Sequence, residues 1–379
     1  MCRRAKLLLS SMLLATVASA AGLSAAIPHP VVAPSRPNSQ SWSDYHRTIQ
    51  AMKPPKRARP IVAVLGDNRG TEAIDFLVPY GVLRQSDAAD VFTVGMSSAK
   101  LQLRPALAVK PQMTIEELDA RYPEGADYVV VPAMVDHETP EVIAWIRSQA
   151  AKGATIVAVC AGAEIVAHAG LLNRRKATTH WASVRTILKV EPTVQWQPHR
   201  RYVADRGIIT TTGVSAAMPV SIALVEAIAG RERAVALARD LGVDDWGTNH
   251  DSAAYRLGNS FLTGIRNKLA AWGVEELGIP VSNGVNDIGL ALSADAWSRT
   301  YRSQAVTIAK AQSVRTRFGL ELFVDRHNLK GIGSMLPPIS DDFPAHLLDR
   351  TFDQITGRYG TETMKLVAVQ LEHERGASK

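Results

Sequence analysis

The stretch Gly153-Ala154-Thr155-Ile156-Val157-Ala158-Val159-Cys160-Ala161-Gly162-Ala163-Glu164-Ile165-Val166-Ala167-His168-Ala169-Gly170 decides the fold. Thr155 to Val159 is an unbroken, β-branch-rich apolar run, the pattern of a strand buried on both faces. Ile165, Val166 and Ala169 then recur at helical spacing, and Gly170 is placed for a left-handed cap. Cys160 falls where strand becomes helix, with Ala158 two residues before it and Gly162 two after. Small residues at those positions let a sharp strand-to-helix turn form without side-chain collision. Such a turn aims the following N–H groups and the helix dipole at the sulfur, which favours the thiolate. The stretch reads as a nucleophile elbow with cysteine in it.

Working outward, Ile61-Val62-Ala63-Val64-Leu65, Asp90-Val91-Phe92-Thr93-Val94, Tyr128-Val129-Val130-Val131-Pro132 and Gly207-Ile208-Ile209-Thr210-Thr211-Thr212-Gly213 are further buried-strand patterns. Between them lie a helix-like segment from Ile74 to Leu83 interrupted by Pro79, a helix opening at Ile115 to Leu118, and an amphipathic helix from Glu141 to Ala151. Leu101 to Val109 alternates as a hairpin or edge excursion would, and Val220 to Ile228 is helical up to Gly230. Strands alternating with helices predict an α/β fold, a doubly wound, mostly parallel sheet. Ligands of such sheets sit at the carboxyl ends of the strands, which gathers the loops at Asp75, Pro132, Cys160 and Gly213. Beyond residue 232 the pattern weakens. Arg231 to Leu241 and Phe261 to Leu277 read as helices. From Asn286 to Val324 the order helix, strand, alternating stretch echoes Asp75 to Val109, so residues 233–379 are either a C-terminal extension or a degenerate partial repeat.

The N-terminus is a different kind of segment. Arg3, Arg4 and Lys6 precede an apolar run from Leu7 to Val17 and a small-residue Val17-Ala18-Ser19-Ala20 site, which predicts a signal peptide over residues 1–21 and export to the periplasm or beyond. An uncleaved anchor is the alternative, because apolar and small residues continue to Ile27. Cleavage would take the formal net charge from +7 to +4, with no dense basic block, so nucleic-acid binding is not expected. Residues 22–57, rich in proline and basic residues, read as an extended leader with a short helix near Trp42 to Met52. Of the two cysteines, Cys2 leaves with the signal and Cys160 remains, so no intramolecular disulfide can form in the mature chain.

Cys160 needs a partner that moves protons. His180, in Ala177-Thr178-Thr179-His180-Trp181, is the candidate, and backbone N–H groups near Ala161 and Met134 are placed to hold an oxyanion. Glu164 reads as a first-turn acid complementing the helix dipole, and His168 as a core residue. His137, His199 and His250 lack metal-ligand spacing, so neither metal nor cofactor is expected.

Val159-Cys160-Ala161-Gly162, Gly170-Leu171-Leu172, Ala177-Thr178-Thr179-His180-Trp181 and Ile209-Thr210-Thr211-Thr212-Gly213-Val214-Ser215-Ala216, in that order, resemble the DJ-1/PfpI superfamily, the class I glutamine amidotransferase-like group. Within it the Thr-Thr-His-Trp form is most similar to isonitrile hydratases and to the ligand-binding halves of AraC-type regulators. The resemblance covers about residues 60 to 232 and implies a flavodoxin-like sandwich, frequent homodimers and a small-molecule ligand or substrate. It also implies a nucleophile at Cys160, its histidine at His180, and a protonatable acid at Asp75, four residues before Pro79. Two features depart from the family pattern. Pro132-Ala133-Met134 stands where many members have Pro-Gly-Gly, and Ile74-Asp75-Phe76-Leu77-Val78-Pro79 lacks the Thr and Gly of the isonitrile-hydratase segment. Two functions follow as expectations: a cysteine-dependent hydrolase or hydratase, or a non-catalytic ligand-binding or redox-sensing module.

Overall fold

Each apolar run named above pairs with another in the computed structural model, which describes residues 42–256, 260–269 and 273–377. The expected signal peptide and most of the leader lie outside the described residues. The expected helix near Trp42 spans Trp42–Ala51 and lays Tyr45, Ile49 and Met52 into the core. Among the described residues no helix is long and apolar enough to cross a membrane.

Seven strands form the central sheet, in the order Tyr202–Asp205, Ile208–Thr211, Thr155–Ala158, Tyr128–Val131, Ile61–Gly66, Asp90–Gly95, Met113–Thr114. All neighbours are parallel except the edge pair, where Tyr202–Asp205 runs antiparallel to Ile208–Thr211. The helix Ala73–Ser86 runs unbroken through Pro79, although a break was expected there. Proline has no N–H to donate to the carbonyl four residues back, so the carbonyl of Asp75 loses its helical partner. Twelve of the fourteen residues of this helix are buried, which explains why its sequence is apolar on every face.

The order of elements in the C-terminal half parallels that of residues 61–110. Strand Glu275–Pro280, helix Asp287–Ser298, strand Ser303–Ile308 and the hairpin Ser313–Arg315/Glu321–Phe323 follow the same order as Ile61–Gly66, Ala73–Ser86, Asp90–Gly95 and Leu101–Arg104/Ala108–Lys110. Both strand pairs are parallel, both helices open on a side-chain cap (Glu72, Asn286), and both hairpins close on matching bonds, Leu103 N–H to Leu107 O and Thr316 N–H to Leu320 O. Strand Ser334–Met335 adds to the second sheet. The reading of a helix from Phe261 to Leu277 is corrected. Helix Ser260–Leu269 stops short, and Glu275 to Leu277 belong to a strand, because parallel pairing with Ser303–Ile308 outweighs local preference.

Two of the contacts between the halves lie beside the Asp75 helix and its hairpin. The hairpins of the two halves share one sheet through Glu321–Lys110 and Leu322–Val109, and their helices cross at Gly81. A Cβ on Gly81 would lie 2.6 Å from Ile288 Cγ1, so only glycine lets the helices approach this closely. Tyr80 Oη donates to Phe318 O at 2.7 Å beside that crossing. The C-terminal half of the chain, from Glu275 onward and called the second unit below, therefore covers this face of the Asp75 helix.

Gly81→Val should lower stability by about 2 kcal/mol through overpacking at the crossing. Gly357→Ala, exposed in the helix Pro344–Tyr359 with nothing near the added carbon, should raise it by about 0.5–1 kcal/mol. Urea denaturation of both variants reads the difference, and equal effects would contradict the close crossing.

Candidate active site

The elbow forms as its small residues require. Cys160 has φ 56°, a left-handed conformation uncommon outside glycine, and a Cβ at Gly162 would collide with the carbonyl oxygen of Val131. Two motif threonines hold the strained residue. Thr211 Oγ1 accepts from Cys160 N–H at 3.1 Å, and Thr179 Oγ1 donates to Cys160 O at 3.1 Å. Gly170 closes the helical turn with φ 70°, as expected.

Asp75 is fully buried at the first turn of its helix. Its Oδ2 accepts from Ala133 N–H at 3.2 Å, while its Oδ1 is buried without a partner among the described residues. Glu72 caps the same helix, accepting Asp75 N–H at 2.5 Å. Burial raises the Asp75 carboxyl to about 7, against the pull of the Ala133 N–H and of Arg299, so it holds a proton through much of the neutral range. Glu72 is also pushed well above the usual carboxylate range, by burial and then by the charges of Asp75 and Asp295.

The thiolate expected from the elbow is not what the surroundings favour. Burial, then the carboxylates of Asp75 and Glu72, push the Cys160 thiol well above its ordinary value, while the Ala161 N–H pulls it down. The backbone group of the turn acts in the expected direction, but the low dielectric and two neighbouring acids outweigh it. Met134, the other expected oxyanion donor, is buried and bridges Thr71 in the antiparallel sense. The flanking bonds come from Val135 N–H to Gly70 O and Glu72 N–H to Ala133 O, so the bridge leaves the Met134 N–H unused.

His180 lies beside the elbow with both nitrogens engaged. Nδ1 accepts Ala182 N–H at 3.3 Å, which requires Nε2 to carry the hydrogen it shows to Gln370 O at 3.2 Å. Burial lowers its pKa, so the ring is neutral. Trp181 Nε1 donates to Val369 O at 3.0 Å, so the Thr-Thr-His-Trp loop is tied to the C-terminal segment. The neighbouring Gly213 turn is tied there too, because its N–H donates to the Glu372 carboxylate and Ser215 N–H donates to Leu371 O. Glu372 is 2 % exposed and holds φ 56°, with His250 Nε2 at 3.3 Å from its other oxygen.

Sequence reasoning missed several of these groups. Arg299, Glu372 and His250 reach the site across long stretches of chain with no local motif, while Glu72, three residues before Asp75, is a local capping acid whose position was readable along the chain. Glu164 has a specific partner, His137 Nδ1 at 2.7 Å, and His137 is raised above its ordinary pKa by that bond against its own burial. His168 is partly exposed and faces Glu138 at 3.6 Å, which corrects its reading as core.

Residues 61–227 match the DJ-1/PfpI family. An isonitrile hydratase of Pseudomonas putida is 32% identical over 168 residues, 43% of this chain and 70% of that protein. The HTH-type transcriptional regulator GbdR of Pseudomonas aeruginosa is 30% identical over 100 residues, which span only 27% of the regulator. The crystal structure of Drosophila melanogaster DJ-1beta aligns with 49% of this chain and 100% of its own, at 21% identity and a TM-score of 0.44.

In a Cys2→Ser background, the alkylation rate of Cys160 against pH should give a midpoint above the ordinary thiol value of about 8.5. Asp75→Asn removes a neighbouring negative charge and should move that midpoint down by about one pH unit. A midpoint that stays in place or rises would contradict the proximity of the two groups.

Proposed function

The chain belongs to the DJ-1/PfpI family, and on that premise we propose that it is a cysteine-dependent hydratase or hydrolase of a small carbonyl-, amide- or isonitrile-like compound. One observation carries the reading: the buried, unpartnered Oδ1 of an Asp75 carboxyl poised near neutral pH beside a cysteine held in a strained elbow. A carboxyl titrating near the working pH is suited to both giving and taking a proton. The thiol is protonated at rest, so its proton must leave as the sulfur attacks, and Asp75 is the group placed to carry it.

For an isonitrile the steps balance as follows. The Cys160 S–H bond breaks, sulfur bonds to the isonitrile carbon, and the proton arrives on that carbon through Asp75, leaving a thioimidate. Water adds to the same carbon, one of its protons passes to nitrogen, and the C–S bond breaks as the hydroxyl proton returns to sulfur. The product is the N-formamide, and the cysteine is restored. Ala161 and Met134 N–H groups hold the negative charge that develops on the substrate as sulfur and then water add. His180, neutral with its nitrogens spent on backbone, positions the loop that carries Thr179. We place this chemistry outside the cytoplasm, on the basic-then-apolar pattern of residues 1–21. N-terminal sequencing of chain recovered from the periplasm checks that placement.

A second reading, a non-catalytic ligand-binding module, draws support from the raised thiol, which leaves little thiolate to attack a substrate, and from the engaged His180 ring. In a redox-sensing form of that module two molecules of a peroxide would carry Cys160 through the sulfenate to the sulfinate, a route that the raised thiol slows because the thiolate is the species oxidised.

Incubating the full chain with a panel of small alkyl isonitriles, amides and aldehydes, with products identified by mass spectrometry, separates the two. Turnover that falls by roughly 10²–10⁴-fold in Asp75→Asn and vanishes in Cys160→Ala supports the enzyme. No product above the blank from any compound, with the thiol intact, removes it and leaves the module.

A further inference from the structure

We propose that Arg299 is a positioning residue of the Cys160 site, supplied by the second unit to hold Glu72 and, through Glu72, the helix turn that presents Asp75. The inference rests on the reading of Cys160 and Asp75 as a working pair, and it concerns a residue far outside the family-matched segment 61–227.

Arg299 caps the C-terminus of the helix Asp287–Ser298, which crosses the Asp75 helix at Gly81. Its Nε bonds the Asp295 carboxylate one turn back, and its terminal nitrogen donates to Glu72 Oε1 at 2.7 Å. The other oxygen of Glu72 accepts the N–H of Asp75. One guanidinium thus orients a carboxylate that in turn orients the backbone of the acid. The planar fork suits this task, since it binds two carboxylates in fixed directions at once. The backbone of Arg299 serves the other side of the site. Its carbonyl accepts from Gln370 Nε2 at 3.2 Å, and Gln370 O accepts from His180 Nε2. Arg299 thus touches the Asp75 side directly through Glu72 and the His180 side through Gln370, beside the ties that Val369 and Glu372 make to the same loops.

The charges argue the same way. Glu72, Asp75 and Asp295 are buried around one guanidinium, so full ionisation would leave an uncompensated negative excess in a medium that tolerates little. The nest must hold protons, and Arg299 governs where. The groups facing Asp75 are Glu72 from its own cap, Asp295 and Arg299 from the second unit, the Ala133 N–H from the loop after Val131, and Cys160 from the elbow, with Glu372 acting on Cys160 from the tail. Arg299 opposes the acids in that set, so losing it makes ionisation of Asp75 harder.

The test follows the buried carboxylic-acid C=O infrared band of the full chain across pH, assigned to Asp75 by its loss in Asp75→Asn. In Arg299→Met the midpoint should rise by about one pH unit, and Arg299→Lys should restore most of the shift. A folded Arg299→Met that is less stable but titrates as the parent does makes Arg299 only a tie between the units and overturns the proposal. Should that variant fail to fold, Asp295→Asn removes an acid of the same nest. Its Asp75 midpoint should fall, and one that stays in place overturns the proposal equally. No turnover enters this readout, so a chain that titrates as expected yet transforms no compound would refute the enzyme reading alone.

Discussion

Burial of the helix Ala73–Ser86 on all of its faces is the constraint on which both the architecture and the site depend. An α-helix without a polar face has no stable place at a surface and needs neighbours on every side. The central sheet covers one side and the helix Ala217–Ala229 another, and the second unit closes the rest through the crossing at Gly81. A second copy of the chain cannot use that face, because the chain's own C-terminal half already fills it.

That burial also makes Asp75 chemically useful. A carboxyl at the surface would be ionised at neutral pH and could only accept. Enclosed with Glu72 and Asp295, it is held to about 7 and exchanges its proton across the neutral range. Isolated buried charge costs several kcal/mol per ion even after relaxation, so an unpaired nest of acids would unfold or neutralise. Arg299 offsets part of the excess, and the remaining protons stay on the acids. The same surroundings raise the Cys160 thiol, so elbow and acid form one coupled system in which a proton on Asp75 and a proton on sulfur are alternatives to weigh together.

Much of this was legible along the chain. The apolar runs 61–65, 90–94, 128–131 and 155–159 read as buried strands because β-branched stretches of that length bounded by small or turn residues have few other stable uses. Cys160 was legible because the small residues around it answer to local backbone geometry, and His180 because it sits in a short motif just past the next turn, whereas Asp75 came only through the family resemblance, since an acid in a first helical turn is ordinarily a cap. The strand Glu275–Pro280 was read as the end of a helix, since a six-residue segment containing Gly278 and Pro280 carries little pattern until its parallel partner is present. The edge strand Tyr202–Asp205, polar at its end and antiparallel to its neighbour, left no signal for the same reason.

Sequence by itself determined the doubly wound sheet, the elbow and the identity of its cysteine, because those rest on hydrophobic period and on steric limits within a few residues of each other. Tertiary structure alone decided the protonation of the site. The thiolate favoured by the turn is overruled by acids and burial. The ring of His180 is committed to Ala182 and to the tail, and the cation beside Asp75 arrives from residue 299. Electrostatic interactions in a low-dielectric interior act between groups brought together from any distance along the chain, and no local spacing records which groups those are.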